Sequence, residues 1–210
     1  MRKIILMLML GLLGGLTVQA QQYKELANPA AFRETFSKAA QQIKTIQSDF
    51  VQEKELSMLA DKITSKGKFW FKQADKVKME YLQPTYYLVI INGKNIKIKD
   101  SKQVSKVSTS QSKIFQKISK ITADCVQGNI LNSSSFTSKV QENNLFYKVV
   151  LTPKDKDIAT YFSNIELLVD KKDYSVSKIV MQDTSGDHTT MTFIHKSLNV
   201  PLADEVFSVN

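Results

Sequence analysis

Asn92-Gly93 constrains this chain more than any other pair of residues. Both residues tolerate positive φ, so the pair marks a two-residue hairpin turn whose twist suits antiparallel strands. Tyr86 to Ile91 precedes it as a continuous apolar run. Asn95 to Lys99 follows, with Ile96 and Ile98 alternating against Lys97 and Lys99. Further upstream, Pro84 interrupts the chain, because proline lacks a ladder N–H. Before it, Val77, Met79 and Tyr81 alternate with Lys76, Lys78 and Glu80, and Gly67 to Lys72 carries Phe69 and Phe71 on one face and Trp70 on the other. Successive strand side chains point to opposite faces. The stretch from Gly67 to Asp100 therefore predicts an antiparallel meander with one apolar and one lysine-rich face. Leu88 and Ile90 are assigned to the apolar face with Phe69, Phe71, Val77, Met79, Tyr81, Ile96 and Ile98.

The ends and the composition bound what such a meander can do. Met1-Arg2-Lys3, an apolar run from Ile4 to Leu16 and small residues up to Ala20 have the parts of a secretory signal. The apolar run is short for a membrane span. Cleavage after Ala20 is expected, leaving residues 21–210 as one domain with a sizeable core and placing the protein in the periplasm. Residue 21 is Gln rather than Cys, so the chain is not expected to carry its own lipid. Arg2 and Lys3 leave with the signal, which takes the formal charge from +9 to +7. The remaining positive charge is lysine apart from Arg33, spread along strands rather than clustered. That pattern argues against nucleic acid, whose base edges are read largely by arginine. It suits a solvated face that resists edge aggregation, with weak attraction to anionic headgroups as a further possibility. Cys125 is alone, so no internal disulfide is possible, and it reads as a small buried hydrophobe.

The rest of the chain supplies a cover and more strands. Asn28-Pro29 has the capping residue and first-turn proline of a helix start, and Phe32, Phe36 and Ile43 follow at helical spacing. Ile46 to Leu56 reads as a first strand with Phe50 facing inward. Ile114, Phe115, Ile118 and Ile121 predict a short helix after Ser110, and residues 123–131 a second one ending near Gly128. Strands resume from Phe136 to Leu198, separated by turn-rich segments such as Pro153-Lys154-Asp155 and Ser185-Gly186-Asp187. Short strands at this spacing indicate a curled sheet or barrel.

The sequence offers little for catalysis. His188 and His195 lie an odd number of positions apart in one predicted strand, which turns them to opposite faces and spoils a shared metal site. No nucleophile elbow, phosphate-cradling glycine loop or paired cysteine motif occurs. No catalytic residue, metal or cofactor is assigned, and the chain is read as a non-enzyme.

Taken in order, I-x-S-D-F-V-Q (Ile46 to Gln52), G-K-F-W-F-K (Gly67 to Lys72), M-E-Y-L-Q-P (Met79 to Pro84), I-N-G-K (Ile91 to Lys94) and A-D-E-V-F-S-V (Ala203 to Val209) resemble the outer-membrane lipoprotein carrier family, the LolA-like periplasmic chaperones. The resemblance covers nearly all of residues 21–210. It implies a mainly β fold: a curved, unclosed antiparallel β-barrel with an N-terminal helix and short lid helices over its concave face. It also implies carriage. Acyl chains of a lipoprotein would enter a hydrophobic cavity lined by Phe50, Phe69, Phe71, Val77, Met79, Tyr81, Leu88, Ile90, Ile96 and Ile98, under a lid carrying Ile114, Phe115 and Ile118. The implied partners are acylated lipoproteins, an inner-membrane lipoprotein-releasing transporter and an outer-membrane receptor, met by a monomer. The proteobacterial carriers have an arginine-proline pair after the strand matching Gly67 to Lys72, where it governs lid closure. Here the pair is Gln73-Ala74, which assigns lid control to an uncharged Gln73 able to hydrogen-bond backbone groups. The alternatives are a soluble binder or sensor of another lipid or glycolipid, and a structural interaction protein with a fully packed core.

Overall fold

A computed structural model describes residues 22–58, 61–73, 75–100, 104–105 and 121–209. The proposed signal segment and the predicted lid residues Ile114, Phe115 and Ile118 lie outside these described residues. In chain order the strands are β1 (Lys24–Glu25), β2 (Thr45–Glu55), β3 (Lys62–Lys72), β4 (Lys76–Gln83), β5 (Tyr87–Asn92), β6 (Asn95–Asp100), β7 (Val104–Ser105), β8 (Phe136–Glu142), β9 (Phe146–Pro153), β10 (Phe162–Asp170), β11 (Val176–Asp183) and β12 (His188–Leu198). The helices are α1 (Pro29–Gln42), α2 over residues 121–126, and the single turn α3 (Lys156–Ala159). Tight 3-10 turns occupy Asn129–Asn132 and Asp204–Phe207.

All twelve strands join one antiparallel sheet in the order β1-β8-β9-β10-β11-β12-β2-β3-β4-β5-β6-β7. Its two outermost strands do not pair with each other, so the barrel is unclosed, as expected from the resemblance. Sequence neighbours are paired almost throughout. The exceptions are β1, which pairs with β8, and β12, which returns to β2 with register Phe193↔Phe50 and thereby welds the C-terminal strands to the N-terminal ones.

The register identifies one inner face. Phe69 faces Met79, Met79 faces Val89, and Val89 faces Ile98. Across the seam with β12, Phe69 meets Phe193 edge-on at 5.0 Å between ring centroids. The same face continues through Ile179, Leu167 and Val149 on β11, β10 and β9. All of these side chains belong to one buried cluster.

Helix α1 lies over part of that face. Phe32 and Phe36 stack with centroids 5.6 Å apart, and Phe32 also meets Tyr147 of β9 at 4.5 Å. The helix starts as its sequence dictates: the Asn28 Oδ1 accepts from the Ala31 N–H at 3.0 Å, and Pro29 occupies the first turn. Replacing Asn28 with Ala leaves that N–H without its partner. The expected loss is about 1 kcal/mol, read as a fall in the urea midpoint at unchanged m-value.

The predicted second short helix over residues 123–131 is two pieces. Gly128, at φ +70, separates α2 from the 3-10 turn at Asn129–Asn132. A Cβ at Gly128 would lie 2.8 Å from the Cβ of Ala40, so the break also lets α1 approach closely.

The C-terminal tail lies on the other side of the sheet. Phe207, fully buried, packs with Leu88 and Ile90 of β5, and Trp70, Leu202 and Val206 surround them. Lys72 and Lys76 both reach Asp204, at 2.6 and 3.0 Å. Hydrogen bonds from these two ammonium groups hold the Asp204 carboxyl below its ordinary range. A carboxyl depressed in the folded state stabilises above its unfolded pKa and loses that contribution as pH falls through the folded value. Acidification below the ordinary carboxylate range should therefore loosen the tail. Trp70, the single tryptophan of the chain, reports on it. Its emission should shift to the red on acidification, and Asp204→Asn should show the shifted emission already at neutral pH.

Candidate functional site

The strongest feature is the inner apolar face, and its sequence cause is plain alternation. Phe50, Phe69, Phe71 and Val77 are each 1% exposed, and Met79 and Ile98 join them in the buried cluster. Tyr81 and Ile96 are half-buried and pack against it. Eight of the predicted lining residues are thus brought together. The face is covered in this structure: Phe36 of α1, Cys125 and Val126 of α2, and Ile130 share its cluster.

Leu88 and Ile90 are corrections. Both point to the outer face, under Phe207. The two-residue turn pairs Asn92 with Asn95, so Ile91 faces Ile96 and Val89 faces Ile98. Val89, not its neighbours, is the β5 residue beside Met79. The apolar run is continuous because β5 is buried on both faces, by the barrel interior and by the tail. Counting back from Gly93 supplies the signal for this, since the register of a two-residue hairpin is set by its turn. From β8 to β12 the sequence points only to the flexible thioethers Met181 and Met191, which are buried on this face. Met58, the further thioether expected to line it, is 94% exposed after β2, and the alternation of Ile165, Leu167 and Val169 is a signal sequence reasoning missed.

Polar groups on the inner face are few. The Tyr81 hydroxyl donates to Gln52 Oε1 at 2.9 Å, and burial, with Tyr87 alongside, pushes its pKa up. Ser48, opposite Phe69, is 3% exposed. Burial also raises the Cys125 thiol, which suits the packing role read from sequence.

Two further features border the interior. Gln73, in the turn between β3 and β4, donates from Nε2 to the Gln41 carbonyl at 3.2 Å and accepts from Lys44 Nζ at 3.1 Å. It ties that turn to the end of α1. Where α1 meets β8, a pocket of about 420 Å³ is lined by Arg33, Leu131, Ser133, Phe136 and Ser138 among others. Arg33 Nη2 donates to Ser138 Oγ there at 2.9 Å. The histidines stand apart, each beside its own carboxylate: His188 is 3.1 Å from Glu55 and His195 2.9 Å from Asp49.

An unclosed antiparallel barrel whose apolar concave face lies beneath helices defines the class of LolA-like folds. The family model for outer membrane lipoprotein carrier protein LolA matches residues 41–210, and the chain belongs to that family. No curated protein matches the sequence.

Among solved structures, a LolA superfamily protein from Nitrosomonas europaea is 12% identical with TM-score 0.47, over 84% of this chain and 97% of that one. MucB of Pseudomonas aeruginosa, solved in complex with MucA, is 13% identical with TM-score 0.50, over 86% of this chain and 60% of that one. Lipoprotein LppX of Mycobacterium tuberculosis is 12% identical with TM-score 0.43, over 82% and 96%. At such identities the likeness is one of fold. Membership of the lipoprotein carrier family supports lipid or lipoprotein binding as the coarse function.

Proposed function

We propose that this protein carries lipoproteins across the periplasm, holding their acyl chains against the inner face of the sheet. It would receive them from an inner-membrane releasing transporter and yield them to an outer-membrane receptor, working as a monomer. The observation that supports this reading best is the inner face itself, in a chain of the lipoprotein carrier family. Its core is continuous across β2 to β6 and β8 to β12, yet part of its cover is short helices rather than a second sheet.

The energetics suit a carrier that must also release. Each buried methylene contributes about 0.8 kcal/mol, so sheltering about ten of them gives roughly 8 kcal/mol. The empty protein already buries this face under its own helices, so acyl chains replace internal contacts rather than remove bare surface from water. The net affinity is correspondingly smaller than the gross transfer energy, and the cargo can be handed on. Met79, Met181 and Met191, all buried on this face, give the lining flexible thioethers that adapt to a guest.

Gln73 fits a control point in the same scheme. Its neutral bond to the Gln41 carbonyl and its charge-assisted bond from the Lys44 ammonium together latch the end of α1 to the sheet.

Depletion of the protein tests the role in the cell. Outer-membrane lipoproteins should then accumulate at the inner membrane, as read by membrane fractionation. Undisturbed sorting would remove the transport role while leaving lipid binding standing.

A further inference from the structure

The inner face of β2 presents Ile46, Ser48 and Phe50 in turn, and the middle residue breaks the apolar pattern. The Ser48 Oγ is wholly removed from solvent and has no hydrogen-bond partner among the described residues. Two other buried hydroxyls of the fold are satisfied. Thr45 Oγ1 donates to the Val200 carbonyl at 2.5 Å, and Ser175 Oγ donates to Asp173 Oδ1 at 2.6 Å. A buried polar group left unmade costs about 1–3 kcal/mol, and alanine at the same place avoids that loss. The hydroxyl therefore has no use to the empty protein that the structure shows.

We propose that Ser48 is the polar anchor of the acyl site, its hydroxyl donating to the carbonyl oxygen of a bound acyl ester or amide. This inference rests on the reading of the inner face as the place where acyl chains are held. The surroundings select the chemistry. Phe69 stands opposite Ser48 in register, and Ile46 and Phe50 flank it along the strand. A guest here must be apolar over most of its length and must bring one uncharged acceptor. A plain hydrocarbon leaves the hydroxyl orphaned. An ionised carboxylate needs more than one neutral donor to offset its burial. An ester or amide carbonyl meets both conditions. The bond also fixes how deep the chain sits, because the carbonyl marks one end of the acyl tail.

Displacement of a fluorescent acyl probe from the full chain tests this, with methyl palmitate and an n-alkane of matched length as competitors. Wild type and Ser48→Ala are compared. The substitution should weaken methyl palmitate by about tenfold and leave the alkane unchanged. The urea midpoint of the empty variant should hold or rise, since an orphaned hydroxyl has been removed. Equal losses for both competitors, an undiminished affinity for the ester, or a lowered midpoint would each overturn the anchor while leaving the acyl site intact. Failure of wild type to bind either competitor would overturn the acyl site and the anchor together.

Discussion

Replacing Gly67 with Ala should remove most of the stability of this protein. A Cβ at that position would lie 2.2 Å from the Glu80 carbonyl oxygen and 2.7 Å from the ring of Phe50. The first of these neighbours is backbone in the paired strand β4, so no side-chain rotation relieves it. Gly67 sits at a register shift between β3 and β4, with the Glu80 carbonyl and the Phe50 ring filling the space its missing side chain leaves. To admit a methyl group, either the ladder must part or the buried Phe50 must leave its contact with Tyr81, 4.9 Å away between centroids. The expected loss is about 3–5 kcal/mol, a large share of the roughly 5–15 kcal/mol that stabilises a domain. Gly93 is the control. Its φ is +59, but nothing lies within 4 Å of a Cβ built there. Gly93→Ala should therefore lose only the strain of a left-handed residue, about 1–2 kcal/mol. Similar urea midpoints for the two variants would show that crowding at Gly67 does not decide the matter.

Met79→Glu should be the second severe change, and its severity should depend on pH. Met79 is 8% exposed between Phe69 and Val89 in register, deep in the inner face. An ionised carboxylate there has no partner built for it, and burial disfavours its charged form. The introduced carboxyl takes a folded-state pKa above its unfolded one. Its neutral form is tolerated below the unfolded pKa, and stability is lost as pH rises through the folded value. Expected at neutral pH is a loss of about 3 kcal/mol or more, together with loss of acyl-probe uptake. Met79→Leu should retain both properties, since the swap conserves volume. A loss independent of pH would mean that the new carboxylate is hydrated, and hence that the inner face is open to water.

Much of this architecture is legible in the order of residues. Asn92-Gly93 turns where its chemistry requires, and the alternation of Val77, Met79 and Tyr81 correctly predicts which side of β4 is buried. The Asn28-Pro29 helix start is equally local. What failed was non-local. Counting back from Gly93 turns Leu88 and Ile90 to the outer face, but nothing within β5 announces that Phe207, more than a hundred positions later, covers them there. The tail motif Ala203 to Val209 supports the family resemblance, yet its docking depends on Lys72 and Lys76 meeting Asp204 across the fold. The helix predicted over residues 123–131 broke at Gly128 because α1 needs the room of a missing side chain, a demand made by Ala40 and Phe36. Ser48 is the converse case. Its place inside the barrel follows from simple strand parity with Ile46 and Phe50. That its hydroxyl lacks a partner among the described residues emerges only when their interior is assembled.

On the proposed reading, the concave face takes a guest's acyl chains in place of the protein's own cover. Mass spectrometry of the organic extract from protein freshly isolated from the cell envelope tests it most directly. Acyl-bearing molecules derived from lipoproteins are expected, in amounts approaching one per protein and depleted from Met79→Glu. Wild-type protein that yields no acyl material, and that excludes a fluorescent acyl probe when purified, would contradict it.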